Sequence, residues 1–315
     1  MQSATSSTTR SSLVIGTRGS PLALAQAREV RERLAAAHAL AAERIALEVI
    51  RTTGDTIRDR PLTEVGGKGL FTKEIEEALI AGAIDLAVHS AKDMATFLSP
   101  ELRIGAVLER EDARDVFISH EAKTLADLPR GARVGTASLR RQALVKRLRG
   151  DLVVVPMRGN VETRLRKLAA GEVDAIVLAL AGLKRLGLAD AATAVLAVDE
   201  FLPAVGQGII AIEARADDEH TLDLVRAVSH SATAAALIAE RAFLAVLEGS
   251  CRTPIAGHAA VAGGRLAFRG LIAKPDGSEV LEAQRHGSAV VAVRLGAEAG
   301  RDLKLRAGAD FFAAV

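Results

Sequence analysis

The only cysteine of this 315-residue chain, Cys251, lies where a thiolate could act as a nucleophile. It follows Gly249 and Ser250 just past the predicted end of a helix, in a polar stretch that favours exposure of the side chain. A lone cysteine is more often a small buried hydrophobic residue, and that alternative stays open. No obvious Cys–His–Asp set lies nearby in the sequence, so the pattern does not support a cysteine protease. A single cysteine also excludes an intrachain disulfide, which suits a reducing cytosol.

A carboxylate, Asp93, ends the segment 89–93 at the end of a predicted strand, at a sheet edge otherwise lined with cations. In such surroundings a carboxylate stays ionised. It can then stabilise a positively charged intermediate or pass a proton. The alternative is a structural salt bridge to Lys92 or Arg18.

Arginines gather at the ends of predicted strands, close to the starts of helices. Those that follow a strand are Arg18, Arg140, Arg141 and Arg158, and Arg164 lies one turn into the last helix. In open α/β sheets, ligands bind at the carboxyl ends of strands, where helix N-termini offer free N–H groups. An arginine fork matches a carboxylate bidentately, so the expected ligand carries several carboxylates or phosphates. Solvated helix faces are the alternative explanation.

Positive charge in this chain is local, since the overall formal charge is only +2. Residues 139–168 hold seven arginines and two lysines, opposed only by Asp151 and Glu162. Such a cluster makes a field that gathers anions. Nucleic acid is a weaker candidate, because Trp and Tyr are absent and a stacking platform for bases would be hard to build.

Phosphate-loop, dinucleotide and metal sites lack their usual residues. The glycine-rich segment 66–69 contains Lys68, but it has neither the spacing of a P-loop nor a Ser or Thr after the lysine. No GxGxxG opens the first helix. The seven histidines are dispersed, without a close Cys/His or HExxH pairing, so no metal is predicted.

Short β-type runs alternate with helical stretches over the first two-thirds of the chain, the pattern of a mostly parallel sheet flanked by helices. The first helix is predicted to begin at Pro21, with Ser20 as its N-cap, and to run to about Ala42. The pattern restarts past Arg103, so the two halves share one α/β architecture. After Arg226 an Ala-rich helix and short β-type runs predict a separate α+β domain of about 90 residues.

No apolar run approaches the roughly 18–20 residues of a membrane helix. The first dozen residues are rich in Ser and Thr and lack an apolar core, which favours a frayed tail over a secretory signal. A trimmed transit peptide stays open as an alternative. Together with the single cysteine, these features favour a cytoplasmic protein.

Eight segments, in a fixed order, resemble the signature segments of the porphobilinogen deaminases (hydroxymethylbilane synthases). They are residues 15–24, 65–71, 88–93, 135–142, 158–165, 181–186, 202–208 and 249–255. Any one of them is weakly specific, whereas eight in order are very specific. Beyond residue 256 only the general pattern matches.

The resemblance implies two α/β lobes like those of periplasmic binding proteins, with a cleft between them, and a small α+β C-terminal domain that carries the cysteine. The implied first domain spans residues 12–104 and 203–226, the second 105–202 and the third 227–315. The resemblance also implies a cytoplasmic monomer that acts on a small molecule, without nucleic acid or membrane as a partner.

The implied activity is that of a transferase, which joins four porphobilinogen molecules into hydroxymethylbilane with release of ammonia, in tetrapyrrole (porphyrin, haem) biosynthesis. Cys251 would hold a dipyrromethane cofactor through a thioether, assembled from the enzyme's own substrate chemistry. Asp93 would be catalytic: it would stabilise the positive charge that forms when ammonia leaves, and manage protons on the pyrrole nitrogens. Phe71 would pack on a pyrrole ring.

The resemblance also implies which side chains bind the acetate and propionate groups. The residues implied to hold the cofactor are Ser90, Lys92, Thr136, Ser138, Arg140, Arg141, Arg158, Arg164 and Arg185. Those implied to bind the substrate are Arg18, Ser20, Lys68, Phe71, Arg158, Arg164 and Arg185. Because each pyrrole brings two carboxylates, a growing chain needs many arginines, so the residue pattern and the resemblance agree.

Several positions depart from the family pattern without removing a reacting atom. Ala91 stands where Met is common, and Met94 and Ala95 follow the aspartate in place of Val-Pro. Ser250 and Arg252 flank the cysteine where Gly and Gln are frequent, and Arg252 could alter the environment of the thiol.

Two other classes of protein share a two-lobed architecture. A binding protein for an anionic solute would close its lobes without chemistry, but it has no use for Cys251 or Asp93 and should carry a signal peptide. The ligand-sensing part of a transcription regulator would need a helix-turn-helix region, and none precedes Leu13.

Overall fold

The computed structural model describes residues 13–56, 72–248, 254–308 and 311. Its strands, numbered in chain order, are β1 Leu13–Thr17, β2 Ile45–Val49, β3 Leu86–Ser90, β4 Leu102–Val107, β5 Asp115–Ile118, β6 Arg133–Gly135, β7 Val153–Val155, β8 Ala175–Ala179, β9 Ala194–Val195, β10 Ile210–Arg215, β11 Ile255–Ala262, β12 Arg265–Ala273 and β13 Val280–Ser288. Its α-helices are α1 Pro21–Ala37, α2 Thr53–Thr56, α3 Lys73–Ile80, α4 Leu139–Leu148, α5 Val161–Ala169, α6 Leu180–Arg185, α7 Glu219–Arg226, α8 Ser231–Val246 and α9 Ala292–Ala307.

Five strands form the sheet of the first lobe, in the order β2-β1-β3-β10-β4. β1 pairs in parallel with both β2 and β3, with Leu13 opposite Ile45 and Ile15 opposite Leu86. β10 runs against both of its neighbours, so the other four strands point the same way. Val30 of α1 is buried against this sheet, in one core with Ile15 and Leu86.

The second lobe repeats this plan in the order β7-β6-β8-β5-β9. β6 pairs in parallel with β7 and β8, and β5 runs against β8 and β9. Hydrophobic residues fill both sides of the sheet, with Phe117 and Leu144 on one side and Ile176 and Leu183 on the other. The predicted mostly parallel sheets and the shared architecture of the two halves are therefore confirmed.

The two strands that run against their neighbours also mark the two crossings between the lobes. The chain leaves the first lobe after β4 and enters the second as β5. It leaves the second lobe after β9 and returns to the first as β10. The first lobe is therefore completed by a strand that follows the whole second lobe in sequence.

The C-terminal domain is an antiparallel sheet, β11-β12-β13, covered by α8 and α9, as the sequence predicts. Phe243 of α8 and Phe268 of β12 meet in its core, with ring centroids 5.0 Å apart. Gly296 lets α9 approach α8 closely, since a Cβ there would overlap the backbone of Ala239. Within the described ranges, no single helix is long and apolar enough to cross a bilayer, and the bent pair α7 and α8 meets that test by length and composition only.

A buried carboxylate, Glu240 of α8, joins the three parts of the molecule. It forms an ion pair with Arg110, which lies between β4 and β5 on the first crossing. It also accepts hydrogen bonds from the backbone N–H groups of Gly206 (2.6 Å) and Ala259 (2.7 Å). Gly206 belongs to the second crossing and Ala259 to β11, so one side chain holds both crossings and the C-terminal sheet.

The start of α1 is as predicted, but the predicted end is wrong. Ser20 caps the helix as expected, accepting from the N–H of Ala23. The helix stops at Ala37 because Ala39 adopts a left-handed backbone, with φ of 50°. The N–H of Leu40 then returns to an earlier carbonyl and closes the helix end. Alanine is uncommon in that conformation, and the Ala-rich stretch gives no signal for it.

Candidate active site

The turn that carries Asp93 is fixed by its neighbours. β3 ends at Ser90, and a 3-10 turn, Ala91–Asp93, follows directly. Gln26 of α1 donates from Nε2 to the Ser90 hydroxyl at 2.9 Å. Ala91 and Met94 are buried, whereas Asp93 is exposed. The local structure therefore presents the Asp93 side chain to solvent on a well-anchored backbone.

A pocket opens beside this turn, at the N-terminus of α1. It is lined by Arg18, Ser20, Leu22, Ala23, Gln26, Thr72, Val88, His89, Ser90 and Asp93. The structure thus brings together four residues of the predicted site, namely Arg18, Ser20, Ser90 and Asp93. A helix N-terminus next to an arginine favours an anionic group in this pocket.

Arg140 and Arg141, at the start of α4, share a buried counter-ion. Nη1 of Arg140 lies 2.8 Å from Oδ2 of Asp115, and Nη2 of Arg141 lies 2.7 Å from Oδ1. Burial alone raises the pKa of Asp115, but the two guanidinium groups outweigh it and hold that pKa well below its usual range. Two cations against one anion leave a net positive charge at this end of the second lobe.

Lys92 joins the Asp93 turn to that arginine pair through Gln207. Its Nζ donates to Oε1 of Gln207 at 3.4 Å, and Nε2 of Gln207 donates to Oδ1 of Asp115 at 3.0 Å. Burial lowers the pKa of Lys92 to about 8, against the attraction of Asp93 and with the repulsion of Arg141. A chain of polar contacts therefore runs from the first lobe to the second.

Arg164 of α5 faces the same charges from the second lobe. Burial lowers its pKa to about 10, helped by the repulsion of Arg141 and Arg158, while Asp93 opposes the shift. Its Nε donates to the carbonyl of Gly159 at 2.9 Å, which holds the side chain back along its helix. The predicted cations of the second lobe therefore lie near one another and near Asp93, across the cleft between the lobes.

Arg185 lies at the contact between the lobes. Its Nη2 donates to the carbonyl of Gly208 at 2.9 Å, and its Nε lies 3.6 Å from Glu29 of α1. Burial lowers the pKa of Arg185, and the charges of Glu29 and Glu111 oppose that shift. Next to it, Lys184 pairs with Glu111 at 2.7 Å. The structure therefore gives Arg185 carboxylate partners from the protein, and its contact with a ligand stays a prediction.

Thr136 and Ser138 build the start of α4. The N–H of Ser138 donates to Oγ1 of Thr136 at 3.1 Å, and the N–H of Arg141 donates to Oγ of Ser138 at 3.4 Å. Both hydroxyls thereby stabilise the turn that carries the arginine pair. Their predicted contact with cofactor carboxylates stays a prediction.

Three predicted site residues, Lys68, Phe71 and Cys251, lie outside the described residues. In sequence, Cys251 falls between the end of α8 at Val246 and the start of β11 at Ile255. Along the chain, α8 therefore directly precedes the segment that contains the cysteine.

Sequence reasoning missed Asp115, Gln207 and Gln26 as members of the site. Gln207 lies inside the recognised segment 202–208, which was a usable signal. Asp115 opens a buried strand, where a fully buried carboxylate requires a cationic partner, but the sequence does not say which cations reach it.

Two family models match this chain. The model of the porphobilinogen deaminase, dipyromethane cofactor binding domain, matches residues 13–223, and that of the porphobilinogen deaminase C-terminal domain matches residues 234–305. The chain belongs to the porphobilinogen deaminase family. The resemblance found in the sequence is thereby confirmed.

Similar porphobilinogen deaminases come from several bacteria. The protein of Nitrobacter winogradskyi is 64% identical over 95% of this chain and 94% of its own length, and that of Nitrobacter hamburgensis has the same values. The protein of Paracoccus denitrificans is 54% identical over 95% of both chains. The solved structure of a methionine binding protein, MetQ, is 14% identical to this chain, with a TM-score of 0.45. The match covers 69% of this chain and 90% of that protein, and it is too distant to indicate a ligand.

The described residues fit the polycarboxylate cofactor of porphobilinogen deaminases. Burial lowers the pKa of Arg164, and the charges of Arg141 and Arg158 add to that shift, so bound carboxylates would relieve this repulsion. Lys92 adds a further cation on the opposite lobe. A dipyrromethane with acetate and propionate groups supplies the anions that this arrangement favours.

Proposed function

We propose that this chain joins four molecules of porphobilinogen head to tail into hydroxymethylbilane, with release of ammonia, in tetrapyrrole and haem biosynthesis. Family membership and relatives at 54% and 64% identity support the proposal. The observation that carries it in the structure is an exposed carboxylate, Asp93, among cations from both lobes. Cations bind the carboxylates of a pyrrole substrate, and a carboxylate meets the positive charge that develops during its reaction.

The proposed cofactor is a dipyrromethane held by Cys251 through a thioether. When bound, it supplies the acceptor pyrrole to which substrate units are added. Cys251 is the only thiol of the chain and lies in the matching segment 249–255. We propose that its carboxylates are bound by cations that include Lys92, Arg141, Arg158 and Arg164, and the charge effects among these residues support the proposal.

Asp93 is the residue proposed to act on the reacting atoms. When ammonia leaves porphobilinogen, positive charge develops on the substrate, and a nearby carboxylate lowers the free energy of that state. The same oxygen atoms can accept a proton from a pyrrole nitrogen. Lys92 and Arg164 stay charged at neutral pH and therefore bind the carboxylates of the same substrate.

The proposed domains are residues 12–104 with 203–226, residues 105–202 and residues 227–315. The two sheets with their two crossings and the separate C-terminal sheet support this division. We also propose a monomer that works in the cytoplasm. Light scattering of the purified protein tests the monomer directly, and a dimer mass would contradict it.

Replacement of Asp93 tests the catalytic role. Asp93→Asn keeps the shape but removes the charge, so we expect porphobilinogen to bind while turnover falls by about 10³-fold or more. The matched control is Asp199→Asn, whose side chain is 96% exposed and pairs with Arg269 on the surface. Single-turnover kinetics, with native mass spectrometry to count the pyrroles on Cys251, measures both. Chain growth at a near-normal rate in Asp93→Asn contradicts the role.

The intact mass of the denatured protein tests the cofactor. We expect a gain of two pyrrole units that peptide mapping assigns to Cys251. A bare sequence mass in protein that turns over porphobilinogen contradicts the attachment. Release of ammonia separates the enzyme from a two-lobed binding protein, which would bind porphobilinogen and leave it intact.

A further inference from the structure

Helix α8 reaches the turn that carries Asp93. Arg241 of α8 donates from Nη2 to the backbone carbonyls of Ala95 (3.0 Å) and Thr96 (2.9 Å). These two carbonyls follow Asp93 closely in the chain. The C-terminal domain therefore holds the outgoing side of the Asp93 turn through one side chain.

The incoming side of the same turn is held by a buried pair. Nε2 of His89 lies 3.0 Å from Oε2 of Glu213. The side chain of His89 is 3% exposed and that of Glu213 is 0% exposed. His89 immediately precedes Ser90 and lines the pocket that contains Asp93. Glu213 belongs to β10, the strand that returns to complete the first lobe.

Glu213 also connects this pair to Arg241. Burial lowers the pKa of Arg241, and the charge of Glu213 opposes that shift, so the two groups attract one another. The second carboxylate oxygen, Oε1, is buried and has no hydrogen-bond partner among the described residues. The interaction with Arg241 is therefore Coulombic, and it balances a carboxylate that would otherwise be costly to bury.

The helix that presents Arg241 is itself held firmly. The preceding residue, Glu240, binds Arg110 and the N–H groups of Gly206 and Ala259. Two adjacent residues of α8 thus reach two different places, the junction of the lobes and the Asp93 turn. α8 also leads into the segment that contains Cys251.

We propose that Arg241 is a positioning residue for Asp93, fixing the turn relative to the helix that leads to Cys251. Glu213 and His89 fix the same turn from its strand side. The inference rests on the catalytic role proposed for Asp93. A shift of a reacting group by about 1 Å can cost about 10²-fold in rate, so loss of this anchor affects the chemical step.

The first experiment replaces Arg241 in the full-length, cofactor-loaded enzyme. In Arg241→Ala we expect kcat to fall by about 10- to 100-fold while KM changes by less than about threefold, because the cations that bind substrate are intact. The matched control is Arg226→Ala on α7, whose guanidinium pairs with Asp223 on the surface, each side chain being 64% exposed. A rise in KM of about 10- to 100-fold with unchanged kcat would overturn the proposal.

A double-mutant cycle separates positioning from general support of the fold. Asp93→Glu keeps the carboxylate but moves it one methylene farther from the backbone, and it should retain a small residual rate. If Arg241 acts through Asp93, Arg241→Ala should lower kcat much less in the Asp93→Glu background than in the wild type. The same fold-loss in both backgrounds overturns the positioning role. Normal turnover in Asp93→Asn instead refutes the catalytic role of Asp93, so the two failures are distinguishable.

Two gentler variants keep the test decisive if Arg241→Ala does not fold. Arg241→Lys keeps a charge and a nitrogen donor but has a shorter side chain without the planar guanidinium. Glu213→Gln keeps an acceptor for His89 but removes the charge beside Arg241. Both should lower kcat in the same direction by about threefold to tenfold, with little change in KM. Unchanged kcat in both folded variants contradicts the proposal.

Discussion

Oδ1 of Asp115 lies 2.7 Å from Nη2 of Arg141, and both side chains are buried. Asp115→Asn should therefore lower the free energy of unfolding by about 3 kcal/mol or more, because two buried guanidinium groups lose their counter-ion. The pair of Asp112 and Arg114, which is more exposed than that of Asp115 and Arg141, provides a control, since Asp112→Asn should cost less than about 1 kcal/mol. Denaturant unfolding measures both, and equal losses contradict the prediction.

The same pair predicts a dependence of stability on pH. The folded pKa of Asp115 lies below its ordinary value of 3.8, so the unfolded chain binds more protons in acid. The contribution of Asp115 is therefore complete above about pH 3.8 and lost as the pH falls below it. Thermal unfolding between neutral and acid pH measures this, and Asp115→Asn should show a shallower acid loss than the wild type.

Lys92 predicts an alkaline limit on activity. With a pKa of about 8, it loses its charge as the pH rises through that value, and with it the attraction for substrate carboxylates. We expect kcat/KM to fall above about pH 8 in the free enzyme. Lys92→Arg keeps its charge at all accessible pH values, so the alkaline fall should disappear even if the maximum rate is lower. An unchanged alkaline fall in Lys92→Arg assigns it to another group.

Lys92 also has a predicted effect on stability, of opposite sense. Its folded pKa of about 8 lies below the ordinary value of 10.5, so the unfolded chain holds more protons between these values. The contribution of Lys92 to stability should therefore rise with pH across this window. The Tm of the wild type should therefore rise relative to that of Lys92→Gln from pH 8 to pH 10.5.

Two arginines of the second lobe should differ in their effect on activity. Arg164 is half-buried, and the charges of Asp93 and Arg141 act on it, so Arg164→Leu should lower kcat/KM by about 10²-fold. Arg147 of α4 is 41% exposed and pairs with Glu282 of β13, so Arg147→Leu should be mild. Steady-state kinetics compares them, and equal losses point to a diffuse electrostatic field instead of specific contacts.

Glu240 should control how firmly the C-terminal domain is joined to the lobes. Glu240→Gln removes the ion pair with Arg110 and leaves one oxygen to accept from two backbone N–H groups, so the amides of Gly206 and Ala259 should exchange hydrogen faster. Glu298→Gln, in an exposed pair with Arg294, is the control and should leave both amides protected. Hydrogen exchange with mass spectrometry measures the two sites, and unchanged protection contradicts the prediction.

Helix starts were predictable where a capping residue marks them. The sequence predicts helices from Leu139 and from Val161, and α4 and α5 begin at these residues. Ser138 and Asn160 cap them, each accepting a hydrogen bond from the third residue of the helix that follows. The end of α1 was missed because Ala39 takes a left-handed backbone without a glycine. The apolar run 84–88 predicts a strand, and β3 begins two positions later, at Leu86. At Asp85 the side chain accepts the N–H of Val14 at 2.8 Å.

The charged residues of the candidate site were predictable from the sequence, whereas the pairs in which they interact were not. The strand-end arginines stand out in the sequence because they lie next to helix starts. The partnership of Arg141 with Asp115 spans 26 positions and depends on how β5 enters the second sheet. The hydrogen bond from Arg241 to the carbonyl of Ala95 spans 146 positions and depends on the placement of a whole domain, so local sequence patterns do not predict it.

The place of β10 between β3 and β4 sets an order for folding during synthesis. A chain emerging from the ribosome presents β1 to β4 long before β10 exists, so β3 and β4 lack their shared neighbour. All five strands of the second lobe lie between Asp115 and Val195, and that sheet can close first. Nascent chains that stop before Ile210 should therefore contain a protease-resistant second lobe beside a first lobe with open strand edges, a state that holdase chaperones bind.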